Sequence, residues 1–342
     1  KMMASPFYFG LASQYNYFWR DSGTRGQRLD LQPRLYLPFR VQNYLTIEPS
    51  AGYRQTLYRL DENNFDDQPD ADRWSHREIY DTRLELFTEV EKVYNLEGQL
   101  FEKIKHRIRP QITHEFISNS KERNLPRFDA LDRIDETNQI TYALTNTLTS
   151  KSRTGRQEPS NQDQPINRGA WLQMTDGFQY NDFFRLKIQH GYDFERSTRP
   201  FLPVSAKLDV RPLRYVQIDA DVQYSVYDNK FLSRNIKGSL FDNRGDRLSV
   251  DYRYERESRE IDTDRDIDFI TGSLKVKMTK KFSVNGAYSY NFETDERASS
   301  KVGFGYDSQC WALYANYINR PNDWYISFTI SLLGLGEFRY SY

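Results

Sequence analysis

One cysteine, Cys310, stands among 342 residues, so the chain can build neither an internal disulfide framework nor a Cys-x-x-Cys metal site. Four histidines confine imidazole chemistry to a few positions. Charge of one sign is lacking too. Lys plus Arg number 48 and Asp plus Glu 48, a balance that gives nucleic acid no electrostatic foothold and leaves it out as a partner. No run of about 18 apolar residues occurs, which excludes a transmembrane helix. No Gly/Ser-rich linker divides the chain, so residues 1–342 are expected to form one domain. The start, Lys1-Met2-Met3-Ala4-Ser5, has no apolar core followed by a cleavage site, and a secretory leader is expected to be cleaved or to lie outside this stretch.

Catalytic motifs are also missing. There is no nucleophile elbow, no His-Glu-x-x-His pair and no phosphate-binding glycine loop, so no catalytic residue, cofactor or resident metal is expected. His106 and His114 sit eight residues apart in an extended run, too far to share an ion. Asp262, Asp264, Asp266 and Asp268 have the spacing of a calcium loop, but Ile267 stands where glycine is required and Ser273 where a bidentate Glu belongs. A solvated loop is the better reading there, as it is for the acidic stretch Asp61–Asp67. A hydrolase built from Ser, His and an acid far apart in the chain is the enzymatic alternative; nothing in the spacing favours it.

What is present is aromatic and alternating. Tyr 25, Phe 22 and Trp 5 make up 15% of the chain, which a disordered polar chain has no reason to carry. In 28–40, Leu29, Leu31, Pro33, Leu35, Leu37 and Phe39 share one face, and Arg28, Asp30, Gln32, Arg34 and Arg40 share the other. Val216, Ile218, Ala220, Val222 and Tyr224 likewise oppose Gln217, Asp219, Asp221 and Gln223. Successive strand side chains point to opposite faces, so each such run is a ribbon with a greasy side and a wet side. About sixteen runs are visible: 6–19, 27–40, 43–58, 77–93, 101–117, 138–150, 182–195, 202–211, 215–228, 231–242, 246–257, 267–278, 280–293, 299–308, 310–319 and 323–333.

A soluble sandwich would bury the greasy faces against each other; a membrane barrel would turn them to lipid and keep a wet lumen. Three features favour the barrel. Run lengths of ~9–11 residues suit a tilted membrane crossing. Aromatics gather at run ends, as in Tyr15-Asn16-Tyr17-Phe18-Trp19 and Trp324-Tyr325, where interfacial belts belong. Long polar connections (61–75, 119–137, 152–169) alternate with short turns. The fold expected is therefore all-β, a transmembrane antiparallel β-barrel. A passive porin or substrate-specific channel is one function such a fold could serve.

Particular segments resemble a known family. Leu125–Ile134 (Leu-Pro-Arg-Phe-Asp-Ala-Leu-Asp-Arg-Ile) followed by Asn138–Asn146 resembles the LPS-assembly LptD family, also called the organic-solvent-tolerance family. Gln27–Leu35, Ile104–Pro110, Gly245–Tyr254 and Val302–Leu313 are similar to it as well. The resemblance implies insertion of lipopolysaccharide into the outer leaflet of the cell outer membrane, with no enzyme chemistry. It also implies a periplasmic jelly roll followed by a 26-stranded barrel, an LptE-like lipoprotein plugging the lumen, periplasmic LPS-bridge proteins docking on the jelly roll, and a lateral gate between first and last strands. Sixteen strands then correspond to the C-terminal part of that barrel, with the jelly roll and first strands outside this sequence; closure into a smaller barrel is the other option.

By the same resemblance, Cys310 would pair with a cysteine of the periplasmic domain, although the family often has two adjacent cysteines where this chain has Cys310-Trp311. The last run would flank the gate, with Trp324, Ile326, Phe328 and Ile330 alternating with Ser327, Thr329 and Ser331. The row Lys103, Lys105, Arg107 and Arg109 is a candidate luminal cation row for acidic sugars or lipid phosphates. Pairing with Glu85, Glu89 and Glu91 of a neighbouring run is the stronger reading of it.

Overall fold

The computed structural model describes residues 2–4, 7–20, 23–61, 73–96, 101–120, 125–153, 172–175, 178–213, 215–256, 266–332 and 336–341. Its regular elements are β-strands, apart from one 3-10 turn at Ala130–Asp132. In chain order the strands are β1 (Met2–Ala4), β2 (Tyr8–Phe18), β3 (Gly26–Tyr36), β4 (Phe39–Val41), β5 (Leu45–Leu60), β6 (Trp74–Phe87), β7 (Val90–Asn95) and β8 (Lys103–Ile117). After the 3-10 turn come β9 (Thr137–Arg153), β10 (Leu172–Thr175), β11 (Phe178–Asp193), β12 (Val204–Leu213), β13 (Val216–Ser225), β14 (Lys230–Phe241) and β15 (Arg247–Glu255). The remainder are β16 (Ile267–Lys277), β17 (Phe282–Asn291), β18 (Glu296–Asp307), β19 (Trp311–Arg320), β20 (Asp323–Leu332) and β21 (Gly336–Ser341).

Each of the sixteen expected runs holds one long strand. The five additional strands (β1, β4, β7, β10 and β21) are short, three to six residues each. Two runs are broken. The 27–40 run splits at Leu37-Pro38, because proline has no N–H to give to a ladder. The 77–93 run splits at Thr88-Glu89, where the Thr88 N–H bonds the Pro110 carbonyl at 3.3 Å and its hydroxyl bonds the Tyr44 carbonyl. Glu89 and Glu91 therefore do not share a strand with Asp81, Arg83 and Glu85.

The chain divides into two compact units, 1–90 with 109–144 and 189–202, and 91–108 with 145–188 and 203–342. In the first, β2, β3, β5, β6 and β8 pair antiparallel in sequence, and β4 bridges β1 and β5. In the second, β12 to β21 form an uninterrupted antiparallel meander, each strand pairing with the next. Two of its hairpins share a device. Asn229 and Asp295 take the left-handed conformation, at φ 56° and 55°, which short polar side chains tolerate. Each accepts a bond from a tyrosine at a strand bulge, Tyr224 and Tyr290 respectively.

Burial is inverted relative to a water-soluble protein. Among the described residues, sixteen polar or charged side chains are buried but only five large apolar ones, Tyr58, Leu60, Ile79, Pro126 and Phe128. In β15, Leu248 and Val250 are 46% and 45% exposed while Ser249 between them is 6%. β20 repeats this: Phe328 and Ile330 are exposed, Ser327 and Thr329 buried. A soluble sandwich cannot leave a contiguous apolar face of this extent in water, whereas a bilayer supplies the apolar solvent it needs.

Candidate functional site

The most elaborate polar structure lies in the first unit, where the connection between β8 and β9 seats on the polar face of β2, β3, β5 and β6. Locally the connection shapes itself. Asp129 caps the 3-10 turn by accepting from the Leu131 N–H at 2.9 Å, and Asp132 reaches back to the N–H groups of Phe128 and Asp129 at 2.7 and 3.0 Å. This reciprocal cap satisfies donors that a short turn would otherwise leave open. It also presents two carboxylates and one ring in the same direction.

The strands answer each of them. Arg28 of β3, only 1% exposed, donates from Nη1 to Asp129 at 2.7 Å and Asp132 at 2.8 Å, and from Nη2 to the other Asp129 oxygen at 2.8 Å. The Tyr58 hydroxyl of β5 adds a bond to Asp132 at 2.9 Å. Arg77 of β6 donates to the Leu131 carbonyl at 2.9 Å, and Arg20 to the Phe128 carbonyl at 2.8 Å. Phe128 stacks on Phe18 with ring centroids 4.4 Å apart and nearly parallel. With Tyr58 and Leu60 it forms a small apolar core on the otherwise polar face. Beneath it, Asp30 accepts from Arg54 at 2.8 Å and from Thr56 at 2.8 Å.

This assembly is possible because register brings the parts together. Arg28 is opposite Tyr58, Asp30 is opposite Thr56, and Thr56 is opposite Arg77, so all five project from one face. Gly26 is required at the edge of the patch, since a Cβ there would lie 2.4 Å from the Arg59 carbonyl oxygen. The Arg28 guanidinium holds the Asp129 carboxyl below the usual carboxylate range. The buried Arg28 charge is compensated by two carboxylates, which is the condition for tolerating its desolvation, although the Nε of Arg28 and that of Arg77 are buried without a partner among the described residues.

The Phe-Asp-x-x-Asp-Arg-Ile-x-x-x-Asn block, Phe128–Asn138, is the most specific part of the resemblance, yet the sequence by itself assigns it no structural role. The signal was in the composition: an Asp-x-x-Asp cap beside Phe, facing an isolated Arg on a strand's polar face. The partners are 101 and 104 residues away, beyond any local periodicity.

The expected site residues fall elsewhere. Lys105 and Arg107 lie against Glu91 at 3.5 and 2.8 Å, and Arg109 lies against Glu85 at 3.4 Å while covering the Phe87 ring. Lys103 opens the same strand, β8. His106 and His114 bond Asn146 and Asn138 at 3.3 and 3.2 Å. Cys310 is a free, exposed thiol in the turn between β18 and β19. The candidate gate strand is not the last: β21 pairs with β20 from Ser327 to Leu332, because the aromatic tail Phe338-Arg339-Tyr340 supplies one more strand-forming segment. Asp262, Asp264 and the stretch beyond Asp61 lie outside the described residues. Among the described residues no cluster of three His, Cys, Asp or Glu could hold a metal.

Strands that are apolar outside and polar inside, with a loop seated on the polar side, define a β-barrel membrane protein. A family model described as LPS transport system D, LptD, matches residues 1–282, so the chain belongs to the LptD family. Curated relatives named LPS-assembly protein LptD are similar at low identity. That of Thiobacillus denitrificans is 22% identical over 328 residues, 90% of this chain and 40% of the relative. That of Nitrosomonas eutropha is 23% identical over 89% and 40%, and that of Pseudomonas aeruginosa 24% over 86% and 35%. The chain thus spans about 40% of the length of these relatives. The family match includes the seated loop and ends at the first residue of β17, so β18 to β21 and Cys310 lie beyond it.

Proposed function

We propose that this chain is the C-terminal part of an outer-membrane translocon barrel that delivers lipopolysaccharide to the outer leaflet. The observation that carries the reading is the inverted burial of strands in a chain of the LptD family: in strands such as β15 and β20 apolar side chains are exposed and the hydroxyls between them are buried. The polar face would accept the sugar head of the lipid and a lumen-filling lipoprotein of the LptE kind. Acyl chains would leave through a lateral seam at the end of the sheet marked by β20 and β21. Periplasmic LPS-bridge proteins would reach the barrel through a jelly-roll domain preceding this stretch, to which Cys310 would be tied by a disulfide. The work is geometric and involves no bond chemistry.

Reconstitution of the full-length protein with its lipoprotein partner in liposomes tests this directly. Lipopolysaccharide supplied from the bridge side is expected to become accessible on the outer surface, and crosslinking β21 to the first strand of the barrel should abolish its appearance. A stable, selective conductance in the absence of the lipoprotein, with no lipid delivery, would replace this reading with that of a channel. Mass spectrometry of the non-reduced full-length protein tests the disulfide, and a free Cys310 thiol there refutes it.

A further inference from the structure

The second unit carries a polar hollow of about 410 Å³ on β14 to β18 that differs from every other charged patch described above. Its floor is a row of small side chains in register: Ser249, Ser273 and Ala287 lie opposite one another across three strands, and the row ends at Lys301. Adjacent strands are about 4.8 Å apart, so short side chains in one row leave a trough between the longer rows on either side. Those rows supply cations. Arg247 faces Lys275 across β15 and β16 on one side, and Lys237 lies on the other.

The charge here is not cancelled. Lys237 meets Asp251 at 3.5 Å, and Arg247 is oriented by the hydroxyls of Ser249 and Ser239 at 3.1 and 3.4 Å. Among the described residues Lys275 and Lys301 have no ion-pair partner. Four cations thus surround one carboxylate, whereas the β8 row is matched by Glu85 and Glu91. A cationic trough floored with hydroxyls is complementary to a ligand that carries anions on a polyhydroxylated frame. From strand spacing, Lys275 and Lys301 stand on the order of 10 Å apart, within reach of opposite ends of one or two sugar rings.

We infer that this hollow binds an anionic saccharide, phosphorylated or carboxylated, with Lys275 and Lys301 taking its anions and Ser273 bonding a sugar hydroxyl. The inference rests on the proposed function, in which such a head group passes along the polar face.

The test places a photoreactive phenylalanine at Ser273 of the full-length protein, complexed with its lipoprotein, and a second probe at Gln32 as a separate report of lipid on the polar face. Lipopolysaccharide is expected to crosslink at position 273, and the adduct should fall about tenfold or more in the Lys275→Gln/Lys301→Gln double variant. Lys275→Arg/Lys301→Arg, which keeps the charge, should retain it and shows that the fold tolerates change there. Phosphatase-treated lipopolysaccharide separates the two anions: loss of the adduct identifies phosphate, and its retention with continued dependence on the lysines identifies carboxylate. Crosslinking at 32 but not 273 overturns the site and leaves the proposed function standing, while silence at both positions overturns both. An adduct at 273 with the lipoprotein in place of the sugar, or one indifferent to Lys275→Gln/Lys301→Gln, also overturns the site.

Discussion

Asp132→Ala isolates the seating of the β8–β9 loop. The Asp132 carboxylate accepts four hydrogen bonds: from Arg28 at 2.8 Å, Tyr58 at 2.9 Å, and the Phe128 and Asp129 N–H groups at 2.7 and 3.0 Å. Its side chain is wholly buried. Removing it leaves the Tyr58 hydroxyl and two backbone N–H groups without their acceptor, at about 1–3 kcal/mol each, while Arg28 keeps its two bonds to Asp129, so the cost is about 3–5 kcal/mol. At about 1.4 kcal/mol per tenfold, that raises the unseated population by about two to three and a half decades. The ladder bonds of β3, β5 and β6 do not involve Asp132, so the strands should remain. The assay is trypsin cleavage after Arg127 and Arg133 in folded full-length protein, together with amide exchange at Phe128 and Leu131. Cleavage is expected to accelerate by a factor of about a hundred or more with the strand signal in circular dichroism unchanged. Cleavage within about threefold of the parent would refute the account of the carboxylate as the loop's anchor.

Leu248→Arg puts a charge on the outward face of β15 and should destabilise the protein refolded in lipid vesicles by about 2–4 kcal/mol if that residue sits at mid-bilayer; an effect near zero would mean the face is not lipid-facing. Gly26→Ala drives a Cβ against the Arg59 carbonyl and should weaken the β3–β5 edge, read as faster exchange at the Asp61 N–H, which bonds the Arg25 carbonyl at 3.1 Å, with unchanged exchange counting against the close approach. For pH the sign follows from a lowered carboxyl: the Asp129 contribution is complete above the ordinary carboxylate value of about 3.9 and is lost as pH falls through its lower folded value. Intrinsic-rate-corrected exchange at Leu131 should therefore be flat from pH 7 to 4 and rise only below that; a rise between pH 6 and 4 would contradict the Arg28 pairing.

The two-sided strands were legible from residues alone because the direction of a strand side chain is a local property, alternating with each peptide whatever the partner. Leu29, Leu31 and Leu35 against Arg28, Asp30 and Arg34 announce both faces, and an apolar face of that breadth already demands a lipid or a core. The break at Pro38 is equally local, since the missing N–H is written in the residue. The relation between faces and neighbours is not local. Whether Lys105 and Arg107 are free cations or matched ones depends on Glu91 arriving beside them. Whether Lys275 and Lys301 edge a hollow depends on a register that lines up Ser249, Ser273 and Ala287. Arg28 meets Asp129 and Asp132 only after the chain has returned across 101 and 104 residues, a pairing set by strand register and loop closure and absent from any window of sequence.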